Sequence, residues 1–225
     1  MLLKVKWFHL HIPKTAGSSL NAMLSDSLGD QFQNHNLEEN ELKAIFGSGH
    51  RTFRHIKMNW SDHRIVAILR DPIQRLRSEL EHHKRRAERK KYWSIGHIVR
   101  AMAYEGFEVD EHLMAHPEIM VRCDNIMTRY LCSSRVPGRI TAKHLDEAMT
   151  NLDQLDCVIL NDEFENGVER LFSQLELPTP KIRYDNQRNS DPLLFEELPA
   201  GLESYVEFDK QLFEFAKSKF SSFSD

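Results

Sequence analysis

Lys14, Thr15, Ala16, Gly17, Ser18 and Ser19 set one cation, one glycine and three hydroxyls in a single short stretch. That exceeds the polar groups a turn requires, and the chemistry it can do is anion binding. Gly17 lets the backbone approach a ligand, and Ser18 and Ser19 can cap a following helix. The first N–H groups of that helix and its positive dipole end then converge on one spot, where the Lys14 ammonium adds a mobile charge. A phosphate is the anion that fits. The same residues can also be read as an ordinary strand-turn-helix corner. The stretch is not a Walker A loop, because Lys14 precedes Gly17 instead of following the last glycine and leading into a Mg²⁺-binding Ser or Thr.

A second set lies at Arg70-Asp71-Pro72 and runs on to Ser78. Asp71 reads as a helix N-cap and Pro72 as the first helical residue, where a missing N–H is harmless. Arg70 then stands at the carboxyl end of a strand, the edge on which open α/β sheets carry ligand groups. Ser78, two turns into the helix, can share a ligand with it. Pairing of Arg70 with Asp71 or another carboxylate is the structural alternative. His9 and His11 share a strand face but have no third ligand nearby, so a structural or site-lining role is expected and no metal.

The elements that must position these groups follow from periodicity. Val5, Trp7, Leu10 and Ile12, with Phe8 on the other face, form a strand, and Leu20, Met23 and Leu24 recur at helical spacing. Asp26 to Gly49, polar with few apolar anchors except Leu37, Leu42, Ile45 and Phe46, reads as loop with one short helix. The continuous apolar run Arg64 to Leu69 suits a strand buried on both faces of a parallel sheet. The helix after Pro72 passes into the cationic run His82 to Lys91, either a solvated helix end or a holder of anionic substrate. Further helices are expected at Ile95 to Met102, Ile119 to Leu131, Leu145 to Leu152, Phe164 to Leu175 and Val206 to Phe220, with a short strand at Cys157 to Leu160 and a polar loop at Arg183 to Ser190.

At 225 residues, 40% hydrophobic and 28% charged, the chain fits one domain, residues 1–225, without internal repeat or linker. A net charge of −4 gives no case for nucleic acid. No run is long enough for a membrane span and nothing resembles a cleavable signal. Cys123, Cys132 and Cys157 are odd in number and widely spaced, against a disulfide framework or structural zinc. Reduced cysteines near the core of a cytoplasmic protein are expected.

HIPKTAGSSL and LRDPIQRLRS together resemble the paired motifs of sulfotransferases that use 3′-phosphoadenosine 5′-phosphosulfate, with most similarity to the carbohydrate branch that includes heparan sulfate 2-O-sulfotransferase. Similarity continues through Asn125 to Leu131 and Phe208 to Ala216, covering nearly the whole chain. The resemblance implies a P-loop-like α/β fold with a central parallel sheet. It places Lys14, Thr15, Ala16, Gly17, Ser18 and Ser19 on the 5′-phosphosulfate, Arg70 and Ser78 on the 3′-phosphate, and the loop bearing Asn186 and Arg188 over the nucleotide. It implies that Lys14 stabilises the departing phosphate oxygen, that a His general base deprotonates an acceptor hydroxyl, and that no metal is required. His55 is the best positional match for that base, although Arg54 stands where the family has Gly. Its rivals are His50, Glu79, Glu81 and His82. The acceptor implied is a carbohydrate, with the basic run suited to an anionic glycan; a small metabolite or lipid hydroxyl is the variant for an enzyme without a membrane anchor. The competing classes are a P-loop-like nucleotide kinase and a non-catalytic polyanion-binding protein.

Overall fold

The computed structural model describes residues 5–34, 42–88, 121–132, 139–184 and 202–221. Its centre is β1 (Trp7–Leu10), every residue of which is buried. On one side β1 pairs with β4 (Arg64–Leu69), which pairs with β5 (Cys157–Leu160). On the other side it pairs with β3 (Phe46–Gly49), and β3 with β2 (Phe32–Asn34). All four pairings are parallel, in the order β2-β3-β1-β4-β5. Leu10 lies opposite both Gly49 and Ala67, so the carboxyl ends of β3, β1 and β4 come out side by side. The chain leaves β1 first towards β2 and β3 and later towards β4 and β5. β1 therefore marks the point where the winding reverses, and the crevice at its carboxyl end is the place where such sheets bind ligands.

The apolar runs at 64–69 and 157–160 form the strands their patterns predict, because helices cover both faces of the sheet. The region 26–49, read as loop with one short helix, is corrected in one respect: it holds two strands. Gly29–Gln31 form one 3-10 turn, and Leu37 lies outside the described residues. β3 reads Phe-Gly-Ser-Gly and has no apolar periodicity to betray it. It is buried because it is small: a Cβ on Gly47 would stand 2.7 Å from Leu42 Cδ2 and 2.8 Å from Phe8 Cδ2. The facing of β1 is also corrected. Phe8, Leu10 and Ile12 share one face and Trp7 takes the other, as strict alternation along a strand requires.

On the Phe8 face the core continues into α2 (Phe53–Asn59), α4 (Ile126–Cys132), α5 (Ala142–Leu152) and α7 (Glu207–Phe220). On the Trp7 face it continues into α1 (Gly17–Leu28) and α6 (Phe164–Gln174). Between α2 and α4 in the chain, α3 (Pro72–Glu88) leaves the end of β4. The helix expected at Ile95 to Met102, Ile119, and the loop beyond Tyr184 lie outside the described residues.

The two late segments of family-like sequence hold each other. The buried Asp209 carboxylate of α7 accepts from the Met127 and Thr128 N–H groups at 3.1 and 2.8 Å, and from the Thr128 hydroxyl at 2.8 Å. Asn125, left-handed at φ 46°, accepts from the Phe208 and Asp209 N–H groups through Oδ1 at 2.8 and 3.0 Å. Burial raises the Asp209 pKa, while Arg75 and these hydrogen bonds oppose the rise. All three cysteines are buried thiols outside any disulfide, and burial pushes the Cys123 thiol up to about 12. Among the described residues no helix is long and apolar enough to cross a membrane.

Candidate functional site

Where β1 ends, residues 11–16 turn into α1 through two left-handed residues, Lys14 at φ 67° and Ala16 at φ 78°. Neither is glycine, and each such conformation costs roughly 1–2 kcal/mol. The strain is held by a set of bonds to the loop's carbonyl groups. His50 Nδ1 donates to the His11 carbonyl at 2.7 Å, and the Thr15 hydroxyl to that of Ile12 at 2.9 Å. Arg70 Nη1 donates to the Lys14 carbonyl at 3.2 Å, and Asn161 Nδ2 to that of Thr15 at 3.4 Å. The Ala16 carbonyl receives the Ser19 and Leu20 N–H groups at 3.0 and 3.3 Å. Across a trans peptide the N–H points opposite to the C=O. Turning the carbonyls of 14, 15 and 16 into the protein therefore turns the N–H groups of Thr15, Ala16 and Gly17 the other way, into a nest at the positive end of α1 with the chemistry to hold an anion.

This geometry changes the parts assigned to single side chains. Ser18 and Ser19 do not cap α1: Ala16 is the N-cap residue, with no side-chain bond, and both serines are already inside the first turn. Ser19 is buried and Ser18 exposed, because adjacent helical positions face different ways. Thr15 is fully buried and spends its hydroxyl on Ile12, so it offers an anion only its backbone. Gly17 is needed for space: a Cβ there would stand 2.3 Å from His11 Cδ2 and 2.9 Å from His9 Cε1.

Arg70 follows the last residue of β4, one strand over from the loop, and its bond to Lys14 joins the two sequence motifs. Its Nη2 reaches Gln74 Oε1 at 3.5 Å, and its buried Nε has no hydrogen-bond partner. Burial lowers its pKa, with Asp71 acting against the shift. Asp71 caps α3, Oδ1 accepting the Gln74 N–H at 2.8 Å, and Pro72 opens the helix as expected. Ser78, half-buried, lies one turn beyond Gln74 on the same helix face.

Beneath and beside the loop three imidazoles stand in file. The His9 and His11 rings stack with centroids 5.0 Å apart, and those of His11 and His50 are 4.3 Å apart. His9 Nδ1 lies 2.8 Å from Asn21 Oδ1 and 3.0 Å from Ser48 Oγ, while Ser48 donates to the same Asn21 oxygen. An acceptor at Asn21 puts the His9 proton on Nδ1 and leaves Nε2, buried without a hydrogen-bond partner, as a bare lone pair. Burial lowers the His9 pKa to about 4 and that of His11 well below its usual value; His50 pushes both down, and Lys14 also lowers His11. The folded protein thus keeps these rings neutral where the unfolded chain would protonate them. Between pH 6.5 and 4 the unfolded state binds more protons, so stability falls as pH falls through that window, by about 3 kcal/mol for His9 alone. Urea midpoints measured from pH 7.5 to 4.5 should show this slope, and His9→Gln, which cannot titrate, should flatten it. An equal slope in the variant would refute the assignment.

His55 sits in the first turn of α2, its N–H directed to the capping Thr52 hydroxyl at 3.4 Å and its ring edge-on to Trp60 at 5.6 Å. Glu79 is buried, Glu81 and His82 are half-buried on α3, and His50 is exposed at the end of β3. Asn186, Arg188 and the side chains of Lys84 to Lys91 lie outside the described residues. Among the described residues no three metal-ligating side chains are grouped so that they could hold a metal ion, and the His9 and His11 rings stack instead of converging on a point. Asn21, Ser48, Gln74 and Asn161 enter the site only with the structure; of these, Asn161 alone had a signal, as the residue following an apolar strand.

No protein-family model matches the chain, and no curated protein matches it. Among solved structures it is similar to a sulfotransferase from Alicyclobacillus acidocaldarius, with 15% sequence identity over 96% of this chain and 96% of that one and a TM-score of 0.50. The likeness is one of fold: a central five-stranded parallel sheet flanked by helices, in the arrangement of that bacterial sulfotransferase.

Proposed function

We propose that the chain is a sulfotransferase that moves a sulfuryl group from 3′-phosphoadenosine 5′-phosphosulfate to an acceptor hydroxyl. The observation that carries this reading is the bond from Arg70 to the Lys14 carbonyl, which joins an anion-binding loop on one strand to a cation on the next. Two adjacent anion sites suit a donor with a 5′-phosphosulfate and a separate 3′-phosphate. Lys14, the backbone N–H groups of Thr15, Ala16 and Gly17, and Ser18 would hold the first group. Arg70, whose Nε lacks a partner, and Ser78 would hold the second, and Asn186 and Arg188 would close over the nucleotide.

The transfer breaks the bond from sulfur to the bridging phosphate oxygen and forms one to the acceptor oxygen. Negative charge grows on the departing oxygen, where the Lys14 ammonium stabilises it most in the transition state. The acceptor's proton goes to a histidine. His55 is the candidate from sequence; we assign the role instead to its rival His50, exposed at the end of β3. Its Nδ1 donates to the His11 carbonyl, which fixes the tautomer and makes Nε2 the basic nitrogen. A carbohydrate hydroxyl remains the proposed acceptor, on the resemblance of the motifs. A kinase would need a carboxylate at a strand end for Mg²⁺; Asp71, the one at the end of β4, is engaged as a cap.

Calorimetric titration with adenosine 3′,5′-bisphosphate against ADP and ATP with Mg²⁺ tests the reading. The wild type should prefer the 3′-phosphorylated nucleotide, and Arg70→Ala should weaken that binding about 10–10²-fold through lost charge-assisted hydrogen bonds. Preference for ATP, or no nucleotide binding by folded protein, would overturn it.

A further inference from the structure

We infer that Asn161 is a positioning residue for the 5′-group of the donor, a role that rests on the sulfotransferase reading above. Asn161 follows the last residue of β5, a strand that does not touch β1, and reaches past the end of β4 to donate its Nδ2 to the Thr15 carbonyl at 3.4 Å. Thr15 is flanked by the two left-handed residues, Lys14 and Ala16, so the peptides on either side of it set the shape of the nest.

The peptide before Thr15 is held by Arg70, and the peptide after it by Asn161. The two anchors differ in what else they do. Arg70 also serves the 3′-phosphate in the proposed reaction, so its hold on Lys14 competes with ligand binding. Asn161 is neutral and its amide is turned to the loop's carbonyl side, so it keeps the Thr15–Ala16 peptide in place whatever Arg70 is engaged with. By fixing that carbonyl it aims the Ala16 N–H at the anion. Asn161 touches neither nucleotide nor acceptor in this scheme; it acts through the backbone.

The expected signature is selective. Asn161→Ala should weaken adenosine 3′,5′-bisphosphate about 3–10-fold, the range set by one neutral hydrogen bond, while adenosine 3′-monophosphate, which lacks the 5′-phosphate, binds within about twofold of wild type. Asn161→Asp is nearly isosteric but cannot donate, and it brings a negative charge to the loop. It should lose more than Asn161→Ala on the bisphosphate and again spare the monophosphate. Both variants are compared with wild type by calorimetry. An equal loss for the two nucleotides, or a loss for neither, overturns the positioning role and leaves the sulfotransferase reading standing. A wild type that binds neither nucleotide overturns both.

Discussion

His50→Asn lowers kcat by about 10²–10⁴, the usual contribution of a general base, and abolishes the acidic limb that a histidine base imposes on the kcat/KM profile. His55→Asn, on the proposed assignment, leaves kcat within a few-fold of wild type. The physical basis is orientation. A base must present an unprotonated nitrogen to the substrate, and the 2.7 Å bond to the His11 carbonyl puts the His50 proton on Nδ1 and the lone pair on Nε2. When Nε2 takes the acceptor's proton, the same bond becomes charge-assisted and steadies the imidazolium. Asparagine can still donate to that carbonyl, so the variant removes the base while sparing the loop, and adenosine 3′,5′-bisphosphate binding should be unchanged. The measurement is steady-state kinetics with a sulfuryl acceptor, run on both variants across pH. A large loss in His55→Asn with little change in His50→Asn would hand the role to His55.

Lys14→Met lowers kcat by about 10²–10³, comparable to removing one preorganised donor from an oxyanion site, and weakens product-nucleotide binding much less. The asymmetry follows from where charge develops: the bridging oxygen becomes negative only as its bond to sulfur breaks, so the ammonium acts mainly in the transition state. Its charge also helps to lower the His11 pKa. Lys14→Gly separates two contributions. Glycine relieves the left-handed strain at φ 67° yet removes the ammonium, so nucleotide binding should hold or tighten while kcat stays as low as in Lys14→Met. Single-turnover rates beside calorimetry would show this split. Equal losses in binding and turnover would mean that Lys14 merely helps to hold the ground state.

Much of the architecture was legible in the chain because it is encoded locally. The apolar run 64–69 becomes β4, Asp71 and Pro72 start α3 by their own chemistry, and α5, α6 and α7 fall where apolar residues recur at helical spacing. The order of Lys14, Gly17 and Arg70 put groups able to bind anions at two strand ends, and the fold brings those ends together. Tertiary structure decided what depends on partners distant in sequence. β2 and β3 carry little periodicity and become strands through pairing with each other and with β1. Thr15 turns its hydroxyl inward and Gly17 makes room for two histidine rings, neither of which follows from the composition of a loop. The direction of the loop's N–H groups is set from outside it, by His50, Arg70 and Asn161 on three other strand ends. Residue types along a chain can specify which groups are available, but the direction of a peptide dipole is fixed by whatever grips its other end, and here those grips come from 39, 56 and 146 residues away.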